Sequence, residues 1–344
     1  MSEVVAGQNK IGLTKSEYAG SKSTLCTGCG HDSISANLMT AFYQQNIHPH
    51  NVMKLSGIGC SSKTPAYWLN QSFGFNSLHG RMAPVATGAK LVRPHMLALG
   101  VSGDGDTASI GIGGFMHLLR RNLPMVYIVA NNGVYGLTKG QFSATSDQEM
   151  QQKSGKKNPF HAIDICSLAV DAGCGFVART FSGDAKQLIA LVSAAFHHKG
   201  TAVIDVISPC ITFANHDGST MSYTAVKNKN HHLQELEFIL ESAESKVDYE
   251  EGTTQRVKFN DGTELVLKKL DSRSHDVSNA DDAIVLLRNS RAKGEILTGL
   301  FYANEDEKTL VEVLNLPAKS IGDMNEADLR PSAQTLSNIL ENFR

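Results

Sequence analysis

Residues 97–132 read LALGVSGDGDTASIGIGGFMHLLRRNLPMVYIVANN, and this stretch decides the fold. It opens with a short apolar run, 97–101, stopped by glycine, the form taken by a strand buried in a parallel sheet. A helical stretch over 110–121 follows and ends in Arg120-Arg121, which suits the negative end of a helix dipole. Pro124 then opens a second apolar run, 125–130. Strand, helix and strand in this order make a right-handed crossover, which brings both strand ends to one edge of the sheet. The turn after the first strand is Ser102-Gly103-Asp104-Gly105-Asp106. Glycine-rich turns between a strand and a helix cradle phosphates with backbone N–H groups. Dinucleotide spacing fails here, because Ala108 stands where a third glycine is required. Asp104 would repel a bare diphosphate, so a cation belongs between them, and hard oxygen ligands favour Mg²⁺. Asn131-Asn132, closing the second strand, lies where an amide oxygen reaches the same ion.

The same alternation extends both ways. The pattern predicts a helix over 33–43 and a strand over 52–55. Beyond the central unit it predicts a helix over 163–172 capped by Gly173, a strand over 176–179, a helix over 185–198 ending before Gly200, and a strand over 202–207. This is an α/β chain: an open, mostly parallel sheet with helices on both faces. No internal repeat is visible. Residues 1–24 read as an N-terminal arm, loose or partner-bound, and 25–225 as the main domain. Residues 226–344 form a C-terminal extension with a hairpin, 255–259 and 264–267, turned by Asn260-Asp261-Gly262. That extension is either partner-facing or a wrap on the sheet edge, and Arg330-Pro331 breaks it.

A chain of 344 residues with 41% hydrophobic and 19% charged side chains can bury a sizeable core. Its net charge of −2 argues against nucleic-acid binding. No apolar run is long enough to cross a bilayer, and the first 23 residues lack the apolar segment of a secretory signal, so the cytoplasm is expected. In that compartment clustered thiols indicate metal or redox work rather than disulfides. Cys26 and Cys29 form a Cys-x-x-Cys pair followed by Gly30-His31; Cys60 sits in Gly57-Ile58-Gly59-Cys60-Ser61-Ser62, and Cys210 follows Pro209 at a strand end. Four such thiolates hold a zinc ion or a [4Fe–4S] cluster, or are merely scattered, and these residues alone leave the choice open. Cys166 and Cys174 read as buried core residues.

Gly-Asp-Gly followed about two dozen residues later by Asn-Asn resembles the motif of thiamine-diphosphate enzymes. The resemblance implies Mg²⁺ bound by Asp104, Asn132 and the carbonyl of Val134. Further motifs run in order over residues 25–210: Cys-x-Gly-Cys-Gly-His, Gly-Ile-Gly-Cys-Ser-Ser, Leu-His-Gly-Arg, Ala-Thr-Gly-x-Lys, Asn-Asn-Gly-Val-Tyr-Gly-Leu-Thr-Lys-Gly-Gln and Ser-Pro-Cys. Together they resemble the β subunit of 2-oxoacid:ferredoxin oxidoreductases, and most closely those acting on 2-oxoglutarate. The resemblance implies a [4Fe–4S] cluster on Cys26, Cys29, Cys60 and Cys210. It implies thiamine-diphosphate contacts from Gly59, Cys60, Ser61, His79, Gly103, Asp104, Gly105, Asp106, Asn132, Val134, Gly136, Leu137 and Thr138. It also implies catalytic or substrate roles for Lys63, Lys139 and His79.

The implied reaction is CoA-dependent oxidative decarboxylation of 2-oxoglutarate to succinyl-CoA and CO₂, with electrons leaving through the cluster to ferredoxin. One cofactor-binding unit leaves no place for the carboxylate that activates thiamine. An α subunit is therefore expected to supply it, in a heterotetramer of two α and two β chains. The rivals are the same chemistry on pyruvate or another 2-oxoacid, a non-redox thiamine enzyme with a zinc site, and a non-catalytic electron-transfer or scaffold subunit.

Overall fold

The protein is described here by a computed structural model covering residues 7–152, 154–216, 219, 221–240, 254–270, 275–317 and 319–343; residues 1–6 of the expected arm lie outside it. Helix α1 (Gly30–Gln44) leads into strand β1 (Val52–Ser56), then β2 (Phe73–Asn76) and α2 (Met82–Val92). Strand β3 (Leu97–Gly103), a π-helical turn (Gly105–Ile110), α3 (Ile112–Leu119) and β4 (Met125–Asn131) form the central unit. A small pair, β5 (Val134–Tyr135) and β6 (Gln141–Phe142), precedes α4 (Ile165–Asp171), β7 (Phe176–Phe181), α5 (Ala185–His197) and β8 (Thr201–Ile207). The chain continues through α6 (Tyr223–Lys229), β9 (Asn230–His232), β10 (Gln234–Ile239), β11 (Thr254–Lys258) and β12 (Glu264–Lys269). It finishes with α7 (Ala280–Ala292), β13 (Ile296–Ala303), α8 (Leu310–Val313), α9 (Glu326–Leu329) and α10 (Ala333–Glu341).

Eight strands form the main sheet in the order β2-β1-β3-β4-β8-β7-β13-β9. All neighbouring pairs are parallel except β13 against β7. Every residue of β4 and β8 is buried, as an apolar run covered on both faces requires. Alternation along β4 divides the core. Val126, Ile128 and Ala130 pack with Ile34 and Leu38 of α1 and Leu188 and Leu191 of α5. Met125, Tyr127 and Val129 pack on the other face with Met82 of α2, Phe115 and Leu118 of α3, Ile165 of α4 and Leu287 of α7. The result is a three-layer α/β sandwich whose strand ends carry the loops of interest.

The strands expected at 52–55, 97–101, 125–130, 176–179 and 202–207 form β1, β3, β4, β7 and β8, and the hairpin forms β11 and β12. Beyond residue 225 the chain adds β9 and β13 to the main sheet and builds a separate three-stranded sheet, β10-β12-β11. The arm is not loose over its described part. Tyr18 is wholly buried, its hydroxyl accepts from Asn9 Nδ2 at 2.9 Å, and Ala19 bridges to Trp68. One buried aromatic anchors a segment whose polarity reads as irregular. Helix α3 is shorter than expected because the chain winds first as a π turn, a form common beside functional sites. Among the described residues no helix is long and apolar enough to cross a membrane.

Candidate cofactor site

Strands β3 and β4 run in parallel with Gly103 opposite Ala130, and β1 lies on the other side of β3 with Ser56 opposite Val101. Three loops therefore leave the sheet together: 57–62, 103–106 and 131–134. With His79 and the turn after β5 they bound a small, partly open cleft. Its wall includes Gly59, Cys60, Ser61, His79, Gly103, Asp104, Gly105, Asp106, Asn132, Val134, Gly136, Leu137 and Thr138, so the fold gathers every residue expected at the cofactor around one space. Lys63 and Lys139 are exposed and stand outside this wall, Lys139 in the turn between β5 and β6 at φ +79°.

The two aspartates of the loop do different work. Asp104 is 2% exposed and forms no ion pair with Lys, Arg or His among the described residues. Burial raises its pKa, against the opposing pull of hydrogen bonds from Ser143 and Thr145. Asn132 lies beside it: its backbone N–H is 3.4 Å from Asp104 Oδ1, and its side-chain Oδ1 accepts from the Val134 N–H at 3.1 Å. A buried carboxylate without a protein counter-charge calls for a cation, which fits a metal at this position.

Asp106 is instead consumed by the protein. Its Oδ1 accepts from the N–H groups of Gly80 (2.7 Å) and Ile58 (3.2 Å), and its Oδ2 accepts from Ser102 Oγ (2.6 Å). His79 Nδ1 stands 2.5 Å from the same Oδ1. A Cβ at Gly57 would fall 1.8 Å from Asp106 Oδ2, so only glycine fits there. Asp106 thus ties three loops of the cleft together. Tyr135 covers Gly105: its hydroxyl donates to the Gly105 carbonyl at 3.0 Å, and a Cβ at Gly105 would meet its ring at 2.5 Å. At Gly59 an added Cβ would meet nothing nearer than Ser61 Oγ at 3.9 Å, and with the glycine turn 103–105 this puts bare main chain on the cleft wall, which also suits a diphosphate.

The expected cysteines converge beside this cleft. A Cβ on Gly136 would lie 3.5 Å from Cys60 Sγ and 3.8 Å from Cys210 Sγ. Burial, with Cys210 and Cys60 nearby, pushes the Cys29 thiol up to about 11. Burial also raises Cys60, with Cys210 and Cys26 adding to it and Lys63 opposing. Thr212 Oγ1 donates to Cys26 Sγ at 3.7 Å. No group of three or more His, Cys, Asp or Glu among the described residues is arranged to hold a single metal ion. Cys166 and Cys174 are wholly buried in the core.

Sequence reasoning missed three side chains. His31 lines the cleft, 2% exposed, with Nδ1 2.7 Å from Ser208 Oγ; burial lowers its pKa to about 4, so it stays neutral. Ser143 and Thr145 donate to Asp104 from behind the wall. The hydroxyl-rich run Ser143-Ala144-Thr145-Ser146 was the available signal, though nothing local aims it at Asp104.

Comparison with known proteins places this geometry. Residues 57–206 match the family described as thiamine pyrophosphate enzyme, C-terminal TPP binding domain. The chain is 43% identical over 192 residues to 2-oxoacid:ferredoxin oxidoreductase 1, subunit beta, of Aeropyrum pernix, covering 56% of this chain and 60% of that one. It is 36% identical over 192 residues to 2-oxoglutarate synthase subunit KorB of Methanocaldococcus jannaschii, covering 55% of this chain and 69% of the relative. The matched part thus spans 60% to 62% of the first three curated relatives. Among solved structures, the 2-oxoglutarate:ferredoxin oxidoreductase of Magnetococcus marinus, with 2-oxoglutarate, coenzyme A and succinyl-CoA bound, superposes with a TM-score of 0.75 at 27% identity over 99% of both chains. The chain belongs to the β-subunit family of the 2-oxoacid:ferredoxin oxidoreductases.

Proposed function

We propose that this chain is the β subunit of a cytoplasmic 2-oxoglutarate:ferredoxin oxidoreductase, which converts 2-oxoglutarate and CoA to succinyl-CoA and CO₂ and passes the electrons to ferredoxin. The observation that carries this reading is buried Asp104, which forms no ion pair among the described residues, beside Asn132 in a cleft walled by Cys60. Asp104, Asn132 and the Val134 carbonyl would hold Mg²⁺, and the glycine backbone would receive the diphosphate. Bound thiamine diphosphate supplies a nucleophilic carbon for the 2-oxo group and an electron sink once CO₂ departs. Neutral His31 and the His79 tied to Asp106 present imidazoles to this space.

Cys26, Cys29, Cys60 and Cys210 would ligate a [4Fe–4S] cluster. The order of cysteine motifs shared with the ferredoxin-linked relatives supports this over zinc. The Cys60 and Cys210 thiols both face Gly136, and Cys29 and Cys26 lie close enough to bear on their charge. Cys60 then belongs to both sites and gives electrons a short path from cofactor to cluster. Lys63 and Lys139, on the rim, would meet the substrate's carboxylates. The activating carboxylate would come from an α subunit closing the cleft, in an assembly of two α and two β chains.

The decisive experiment is a substrate panel on the complex as it co-purifies, under strict anaerobiosis. With CoA and ferredoxin or methyl viologen, 2-oxoglutarate should give the highest kcat/KM. Preference for pyruvate or another 2-oxoacid would reassign the substrate, and absence of any 2-oxoacid-dependent reduction would overturn the redox reading.

A further inference from the structure

Asp104 is held unevenly. Its Oδ2 accepts hydrogen bonds from the hydroxyls of Ser143 and Thr145, the latter at 2.7 Å, whereas among the described residues its Oδ1 meets the Asn132 N–H at a long 3.4 Å. Ser143 and Thr145 are 7% and 3% exposed, and neither lines the cleft. Both are fixed from behind. The Ser143 N–H donates to Ser146 Oγ at 2.8 Å, and the Ser146 hydroxyl donates to the Gly133 carbonyl. Thr145 Oγ1 also lies 2.9 Å from Asn131 Oδ1, so its one proton is shared between that oxygen and Asp104 Oδ2, and Asn131 Nδ2 donates to Asp205 at 3.0 Å. Asp205 is gripped by Arg179 Nε at 2.8 Å, and Arg179 reaches Asp164, the N-cap of α4, at 2.8 Å. A continuous buried chain of polar groups therefore runs from a helix N-terminus to the back of Asp104.

Resting on the metal reading above, we propose that Ser143 and Thr145 are positioning residues that occupy Asp104 Oδ2, so that the carboxylate meets its divalent cation through Oδ1 alone. The consequence is selectivity. Mg²⁺ demands a near-octahedral shell at about 2.0–2.1 Å, and a carboxylate gripping through both oxygens subtends too narrow an angle for it. Ca²⁺, with six to eight oxygen ligands, accepts that grip. With Oδ2 tied back, the site presents one oxygen and disfavours the larger ion. Outer-shell partners of this kind typically account for 10- to 100-fold in metal affinity.

The test measures metal binding directly, apart from activity. The full chain, in the complex in which it purifies, is titrated with Mn²⁺ in the presence of thiamine diphosphate, and free Mn²⁺ is read by electron paramagnetic resonance. Thr145→Val and Ser143→Ala should each raise the Mn²⁺ dissociation constant on the order of 10- to 100-fold. They should also let Ca²⁺ displace Mn²⁺ at lower concentration than in the parent. Thr145→Ser, which keeps the hydroxyl, should stay within about threefold of the parent on the same scale. Circular dichroism checks that each variant is folded; should Thr145→Val not fold, Ser143→Ala decides alone. Unchanged Mn²⁺ affinity in the folded variants, or a Thr145→Ser as weak as Thr145→Val, would overturn the proposal. A parent protein that binds no Mn²⁺ would instead remove the metal reading, and this proposal with it.

Discussion

Replacing Asp106 with alanine separates a structural tie from a cofactor ligand. The carboxylate is 3% exposed and accepts from two backbone N–H groups, Gly80 at 2.7 Å and Ile58 at 3.2 Å, and from Ser102 Oγ at 2.6 Å. Asp106→Ala leaves the buried Gly80 N–H without its acceptor, at about 1–3 kcal/mol. The Ile58 N–H is only partly buried and can turn to water, so it loses less, about 1 kcal/mol. The hydroxyl suffers little, because Ser102 Oγ still accepts from Thr107 at 2.9 Å. A total near 3 kcal/mol follows from the middle of that range. At about 2 °C per kcal/mol for a chain this large, Tm should fall by about 6 °C. The melt is recorded on the chain without thiamine diphosphate or metal, at fixed protein concentration, so that ligand linkage contributes nothing. Asp106→Asn is the control. Its amide can turn the NH₂ toward Ser102 and keep the oxygen on Gly80 and Ile58, so it should lose less than half as much. If Asp106→Ala melts within about 2 °C of the parent while thiamine-diphosphate affinity collapses, Asp106 is a cofactor ligand and the tie is refuted.

Three further outcomes are expected. Burial lowers the pKa of Lys54 and Lys90 to about 8, below their unfolded value, so between about pH 8 and 10.5 the unfolded chain holds protons that the folded one has shed. These lysines therefore add stability as pH rises through that window; urea midpoints compared for the parent and a Lys54→Met, Lys90→Met double variant should show the rise in the parent alone. Cys60→Ser should cut iron and acid-labile sulfide from about four per chain to under one, with loss of the broad absorption near 400 nm, while Cys166→Ser leaves both in place. Arg179→Met strands Asp205 and Asp164 in the core and should cost about 3–5 kcal/mol at pH 7. In that variant both acids would have raised folded-state pKa values, so its deficit should shrink as pH falls toward 4, and a deficit independent of pH in denaturant melts would refute the pairing.

The reading of residues 97–132 reached the strands, the crossover and the meeting of Asp104 with Asn132, because each rests on local pattern or on the handedness of one connection. Strand β2 was invisible: Phe-Gly-Phe-Asn is short, and all four residues are exposed, so no burial pattern marks it. Helix α2 was hidden by Pro84 and Gly88, and it forms because Met82, Ala83 and Ala86 pack against the sheet. Strand β13 crosses from a remote part of the chain to pair with β7, and local periodicity carries no trace of such a partner. At the site, the resemblance puts Asp106 at the cofactor with Asp104, and both line the cleft, but the shared glycine turn does not tell their surroundings apart. What distinguishes the two is the set of donors brought from 58 and 80, which only the tertiary fold supplies. Ser143 and Thr145 escaped for the same reason, standing 39 and 41 residues from the acid they hold.

The antiparallel seat of β13 beside β7 also sets a clock on biosynthesis. Strand β7 ends at Phe181, and the partner for its free side does not begin until Ile296. At about 5–20 residues per second, synthesis of the intervening chain takes roughly 6 to 23 s, during which that side of β7 has no native neighbour. Its open N–H and C=O groups are a template for pairing with another nascent chain. A ribosome stalled between these points would release a fragment with the cofactor loops complete and the sheet unsealed. Chaperone demand for this protein should therefore track elongation speed through residues 182–295 more closely than the stability of the finished fold.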